Sequence, residues 1–192
     1  MNLKYVTGSN RNGWLDVRID GVPEVTSLPY GLKVDLLGTA GGREQFKVVE
    51  GYRRQRVGNV ILPPGGGSQF GNVVHRTAAR VRYSISAGMV TFGAQFATAI
   101  TSPRNPAPLG IWGLQIPDEK HTRWGTPYLP RTPHATTWFR LGDGRDRYLH
   151  CGAATDGCVT VTDFSKWSSI WGYLILARSG DNINVGTIEV VR

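Results

Sequence analysis

The chain has 192 residues, a net charge of +8 and a pI near 9.9. That length suits one domain, and a hydrophobic content of 40% is enough to give it a core. Glycine at 25 and proline at 11 argue against a helical bundle and predict many short strands and turns. No run of apolar residues is long enough for a membrane-spanning helix, so no membrane insertion is expected. The opening residues, from Met1 to Gly8, lack an apolar export segment, so no conventional signal peptide is expected. The positive charge is spread along the chain, and only Arg53-Arg54-Gln55-Arg56 is dense. Such a surface suits an anionic target such as cell wall or nucleic acid, or solubility alone.

In chain order, residues 3–7 and 14–19 read as a first hairpin with 9–13 as its turn. Leu15, Val17 and Ile19 alternate with Asp16 and Arg18, the pattern of a half-buried strand. Residues 31–37 and 45–49 are further strands joined through 38–42, and 59–62 is another. The run 63–68, Pro-Pro-Gly-Gly-Gly-Ser, reads as a loop where an insertion rejoins the core. Residues 77–86 alternate, with Ala79, Val81, Tyr83 and Ile85 on one face, and 89–92 is the expected partner. The chain is therefore read as one domain over 1–192, with a β-rich elaboration at about 20–75 and a core at about 80–192. One helix is predicted over about 163–179. Thr162 or Asp163 is its N-cap, Phe164, Trp167, Ile170, Trp171 and Leu174 follow at helical spacing, and Gly180 closes it near Arg178. Its aromatic stripe reads as core packing. Residues 184–191 form a closing strand, and no internal repeat stands out.

Chemistry concentrates in residues 147–161. A strand-like run ends in His150, a polar loop follows, and Gly157-Cys158 opens a second apolar run, Val159-Thr160-Val161. That order can bring an imidazole to a thiol, the minimum equipment for cysteine acyl transfer. Glycine at 157 suits a sharp turn that leaves N–H groups free, so the amides of Gly157 and Cys158 are candidate oxyanion donors.

The segment resembles the active-site signature of the L,D-transpeptidase (YkuD-type) catalytic domain, through His150, Gly157, Cys158 and Val159. Upstream, Asn105 to Gln115 resembles that family's proline-containing strand entry, and Thr136 to Leu141 resembles the strand that pairs with the histidine strand. The likeness spans about residues 80–192. The short loop between His150 and Cys158 is similar to that of toxin-like members delivered by type VI secretion. Three positions depart from the pattern. Cys151 replaces the glycine after the histidine, Asp156 replaces a second histidine, and Thr160 replaces an arginine.

The resemblance implies a mainly β fold, a β-sandwich or barrel with one helix in its C-terminal half. It implies cysteine-dependent acyl transfer on peptidoglycan stem peptides. Cys158 would be the nucleophile, His150 the general base and Gly157 an oxyanion amide. Water as acceptor gives an L,D-carboxypeptidase, a D-amino acid gives exchange, and a second stem gives L,D-transpeptidation. It further implies action in the periplasm or cell wall after delivery by a secretion system, with a cognate immunity protein as a partner. Asp156, Thr155, Arg140, Arg147 and His134 are the candidates for substrate binding. His121 is a weaker candidate for lining the cleft, and Trp112 and Trp124 for flanking it. No cofactor and no metal is expected, because no ligand set with finger-like spacing exists. The two cysteines permit one disulfide, Cys151–Cys158, which would silence the thiol. Two other readings stay open. One is a non-catalytic, basic, β-rich binding module for glycan or nucleic acid, although no nucleic-acid signature is present. The other is a structural component of a secretion or phage particle.

Overall fold

The computed structural model describes residues 1–192. The first half of the chain supplies seven short strands. They are β1 (Leu3–Val6), β2 (Trp14–Ile19), β3 (Thr26–Pro29), β4 (Lys33–Ala40), β5 (Arg43–Val48), β6 (Val57–Ile61) and β7 (Phe70–Gly71). They form one sheet in the order β3-β2-β6-β5-β4-β1-β7. The predicted first hairpin does not form. β1 pairs with β4 and β7, whereas β2 pairs with β3 and β6. The reason lies in the turn: the Asn10 side chain accepts from the Asn12 amide at 2.9 Å and the Asn10 amide donates to the Trp14 carbonyl, so the chain closes a local loop before β2 begins. The β4–β5 hairpin turns at Gly41-Gly42, both left-handed, with a register shift at Gly38.

The rest of the chain adds β8 (Arg76–Thr77), β9 (Ala79–Ser84), β10 (Met89–Phe92), β11 (Gln95–Ile100), β12 (Gly110–Gln115), β13 (Phe139–Arg140), β14 (Tyr148–Cys151), β15 (Val159–Val161), β16 (Ala177–Arg178) and β17 (Asn184–Val191). Eight of these make a second sheet, ordered β12-β17-β9-β10-β11-β15-β14-β13, while β8 and β16 pair separately. The expected pairing of β9 with β10 is present, as is that of the 136–141 segment with the histidine strand, through Phe139↔Leu149 and Arg140↔Tyr148. The fold is mainly β. A short helix α1 (Thr122–Gly125) runs into a 3-10 turn over Thr126–Tyr128, and one longer helix follows, α2 (Phe164–Ile175).

Helix α2 starts where the sequence places it. Asp163 caps it by accepting from the Ser165 amide at 3.1 Å. Its buried stripe is Phe164, Trp167, Ile170, Leu174 and Ile175. It ends at Ile175, with Leu176 as C-cap, rather than near Gly180, a correction of the predicted span. Arg178 accounts for the early stop. Its guanidinium donates to the Ile175 and Ala177 carbonyls at 2.8 and 2.7 Å while it pairs with buried Glu50. The freed segment becomes β16. One apolar core, running from Val6 to Val190, joins both sheets and α2.

Candidate active site

The site is built on the parallel pair β14–β15, whose register aligns Leu149 with Val159, His150 with Thr160, and Cys151 with Val161. Side chains alternate between faces along each strand. Leu149, Cys151, Val159 and Val161 enter the main core. Tyr148, His150 and Thr160 take the other face, and Cys158, directly before β15, packs there with Tyr148 and Trp138. Cys151 and Cys158 therefore lie on opposite faces and three residues apart along neighbouring strands, about 10 Å at ordinary strand rise. Both are free thiols, and a bridge between them would need the strands to shift. The same alternation keeps Cys151 from converging with His150 and Cys158 on one ion.

A cleft of about 390 Å³ opens on this face. His150, Cys158, Thr155 and Asp156 line it, with Trp124, Tyr128 and Trp138 as its aromatic walls. Cys158 is nearly enclosed, and burial pushes its thiol above the ordinary range, offset in part by the Tyr148 backbone amide and by Arg147. His150 is 4% exposed. Burial pulls its pKa down to about 4, against the pull of the Cys151 carbonyl and with a smaller push from His121. At neutral pH the thiol and the imidazole are thus both neutral, and no hydrogen bond joins them. His150 Nδ1 lies 3.0 Å from the Cys151 carbonyl oxygen and Nε2 lies 3.0 Å from Thr160 Oγ1. Trp138 stacks on the imidazole at 4.1 Å and 22°, and His121 stacks on the far side of the same indole at 4.3 Å and 11°.

Gly157 is buried and left-handed at φ +81°, directly before Cys158. A Cβ there would come within 3.0 Å of Arg147 Nε and 3.1 Å of Asn105 Nδ2. These two side chains form a collar behind the turn. Arg147 donates to Asn105 Oδ1 at 3.1 Å and pairs with Asp143 at 3.3 Å, and Asn105 donates to Asp156 Oδ1 at 3.0 Å. Thr155 donates its hydroxyl to the Cys158 carbonyl at 3.0 Å, which pins the turn from the other side.

The candidate residues thus separate. His150, Cys158, Thr155 and Asp156 share the cleft, and Gly157 sits in its wall. Arg147 stands behind that wall, held by Asp143 and Asn105. Arg140 lies outside the cleft lining: it pairs with Asp146, donates to the Arg145 carbonyl at 3.3 Å, and its guanidinium lies 5.9 Å from the Tyr148 ring. His134 is also elsewhere, stacked on Trp171 of α2 at 3.6 Å and 4°, beside Gly13. Trp124 is 60% exposed at the cleft edge, whereas Trp112 donates to the Pro108 carbonyl away from it. A larger groove of about 700 Å³ runs along the 100–109 segment, but its only titratable side chains are Tyr83 and Arg192, with no base beside its hydroxyls. Tyr128 carries no sequence signal for this site, whereas Asn105 and Trp138 lie in the two upstream segments 105–115 and 136–141, where nothing marks either as a site residue. Thr160 is visible in the sequence only as a departure from the motif arginine.

No family model matches the chain, and neither does any curated protein. Two solved structures are similar in part. One is L,D-transpeptidase 1 of Mycobacterium tuberculosis, 15% identical, with a TM-score of 0.41 over 83% of this chain and 98% of that chain. The other is an L,D-transpeptidase from Mycobacterium tuberculosis H37Rv, 11% identical, with a TM-score of 0.37 over 84% of this chain and 77% of that chain. Likenesses this distant carry no chemistry across to the present residues.

Proposed function

We propose that the chain is a cysteine-dependent acyl-transfer enzyme acting on peptidoglycan stem peptides, of the L,D-transpeptidase kind that its signature resembles. The observation that carries this reading is the opening of Cys158 and His150 onto one cleft, with left-handed Gly157 immediately before the sulfur. A thiol and a base on one face, next to a sharp glycine turn whose amides can receive an oxyanion, is the arrangement acyl transfer needs. In this reading the Cys158 sulfur attacks the carbonyl carbon of the stem peptide, and the thiol proton ends on His150. The amides of Gly157 and Cys158 receive the oxyanion. The proton then passes to the leaving amine, and a thioester remains on Cys158. Water, a D-amino acid or a second stem resolves it, giving carboxypeptidase, exchange or cross-linking products respectively. Asp156 stands at the cleft edge, where it suits the amino group of a D-amino acid. The short His150–Cys158 loop supports the toxin-like subset, and with it action in the periplasm and a cognate immunity protein.

A second reading has an observation of its own. Both ring nitrogens of His150 already have partners, and an exposed tryptophan edges the cleft, which suits a non-catalytic glycan-binding module. Intact-protein mass spectrometry after incubation with a stem tetrapeptide separates the two. Acyl transfer predicts a thioester adduct on Cys158 that is absent in Cys158→Ala, and binding alone predicts no covalent adduct in either protein.

A further inference from the structure

The two partners of His150 fix where its proton sits. The Cys151 carbonyl, 3.0 Å from Nδ1, can only accept, so Nδ1 carries the hydrogen of the neutral ring and Nε2 holds the lone pair. The Thr160 hydroxyl, 3.0 Å from Nε2, therefore donates to it. The same oxygen lies 3.4 Å from the Ala154 carbonyl. A hydroxyl has one hydrogen and two lone pairs, so it serves one of these acceptors at a time.

We propose that Thr160 is the positioning residue of the His150 base, its hydroxyl donating to Nε2 while the ring is neutral and turning to the Ala154 carbonyl, to accept from Nε2–H, once the ring is charged. This inference rests on the acyl-transfer reading and deepens it. Before attack, sulfur holds its proton and Nε2 its lone pair. After attack, the sulfur electron pair forms the bond to the substrate carbonyl carbon, the thiol proton is on Nε2, and the Thr160 hydrogen has rotated to Ala154. When the leaving amine takes that proton, the hydroxyl rotates back. Thr160 itself changes between the two states only by rotation of its hydroxyl, between two acceptors already within reach. A group that only donates or only accepts would oppose one of them.

The surroundings suit such a device. Thr160 is fully buried, so water does not compete for its hydroxyl. Cross-strand register sets Thr160 against His150. Trp138 stacks on the ring, and Gly152 sits so close that a Cβ there would lie 3.3 Å from Thr160 Cγ2 and 3.5 Å from the imidazole. Ala154, the second acceptor, belongs to the loop that leads to Cys158, so the protonation state of the base is felt by the segment carrying the nucleophile.

Thr160→Val removes the hydroxyl and keeps the shape, and Thr160→Ser keeps the hydroxyl. With a stem tetrapeptide as substrate, Thr160→Val is expected to lower kcat about 100-fold with KM unchanged, and Thr160→Ser to retain most of it. Nitrogen NMR of the free protein at pH 7 should show the His150 ring protonated on Nδ1 alone, with the Nε2 signal displaced in Thr160→Val. A folded Thr160→Val with wild-type kcat, or a wild-type ring protonated on Nε2, overturns the inference. Should the valine variant not fold, the wild-type ring spectrum and the kcat of Thr160→Ser decide it. If Cys158→Ala is inactive while Thr160→Val stays active, the inference alone fails. If wild type does not turn over the peptide, the acyl-transfer reading fails and takes the inference with it.

Discussion

Glu50 and Arg178 tie the first sheet to the end of α2 through a buried ion pair. Glu50 Oε1 lies 2.8 Å from Arg178 Nη2, with the side chains 1% and 8% exposed. The same oxygen accepts from the Lys33 amide at 2.9 Å, and Arg178 also donates to the Gly31 carbonyl at 3.0 Å. Removing one partner of such a pair leaves the other buried and uncompensated. Arg178→Met is expected to cost about 3–5 kcal/mol in urea unfolding, and adding Glu50→Gln to it should recover part of that loss. A loss well under 1 kcal/mol for Arg178→Met would show that the pair does not hold the sheets together.

Gly157 faces two separate penalties on substitution. Its φ of +81° is unfavourable to any residue with a Cβ, and Arg147 and Asn105 crowd the space that Cβ would fill. Gly144, at φ +78° with nothing near, carries the first penalty only. Gly144→Ala should therefore cost about 1–2 kcal/mol, and Gly157→Ala more than that, with a loss of activity that the Gly144 variant does not share. Equal unfolding costs and equal activities would mean that the collar behind Gly157 yields freely.

The depressed His150 pKa makes stability depend on pH. The native ring resists protonation until about pH 4, whereas the unfolded chain takes up that proton near 6.5. Between these values the unfolded state binds more protons, so stability rises with pH across the window and levels off above it. The full effect is about 3 kcal/mol. His134, also lowered by burial, acts in the same sense. Urea unfolding from pH 4 to 7 should show this slope, and His150→Gln should flatten it. An unchanged slope in the variant would mean that His150 titrates normally in the native state.

Much of this arrangement was readable from the chain. Periodicity places β9, β10, β17 and the start of α2, because each buries one face and shows it. The partners of β1 and β2 were not readable, because pairing over long separations depends on the whole sheet and not on local pattern. The end of α2 was hidden for a similar reason, since it depends on Glu50, far away in sequence. At the site, the loop order His150, Gly157, Cys158 was legible. The parallel register that sets His150 opposite Thr160, with Cys158 next to Tyr148, was not. Neither were the collar of Asn105 around the turn and the withdrawal of His134 to α2, because both arise from packing between distant segments.

The two thiols should differ in reactivity. Cys151 borders the same cleft but is 1% exposed and packs in the main core, and burial pushes its pKa to about 12. Cys158 lines the cleft, with its thiol raised as well. Iodoacetamide on the native protein should therefore label Cys158 first and only slowly at neutral pH, as the thiolate is the reactive form. Peptide mapping after partial labelling checks this, and preferential labelling of Cys151 would contradict the assignment of faces.

Digestion of purified tetrapeptide-rich peptidoglycan by wild type and Cys158→Ala, under reducing conditions and read by mass spectrometry, tests the central claim most directly. Acyl transfer predicts loss of a terminal D-alanine, a D-amino acid exchange or a new cross-link with wild type, and none of these with Cys158→Ala. An unchanged muropeptide profile with folded wild-type protein would contradict the account and leave His150 and Cys158 as parts of a binding cleft.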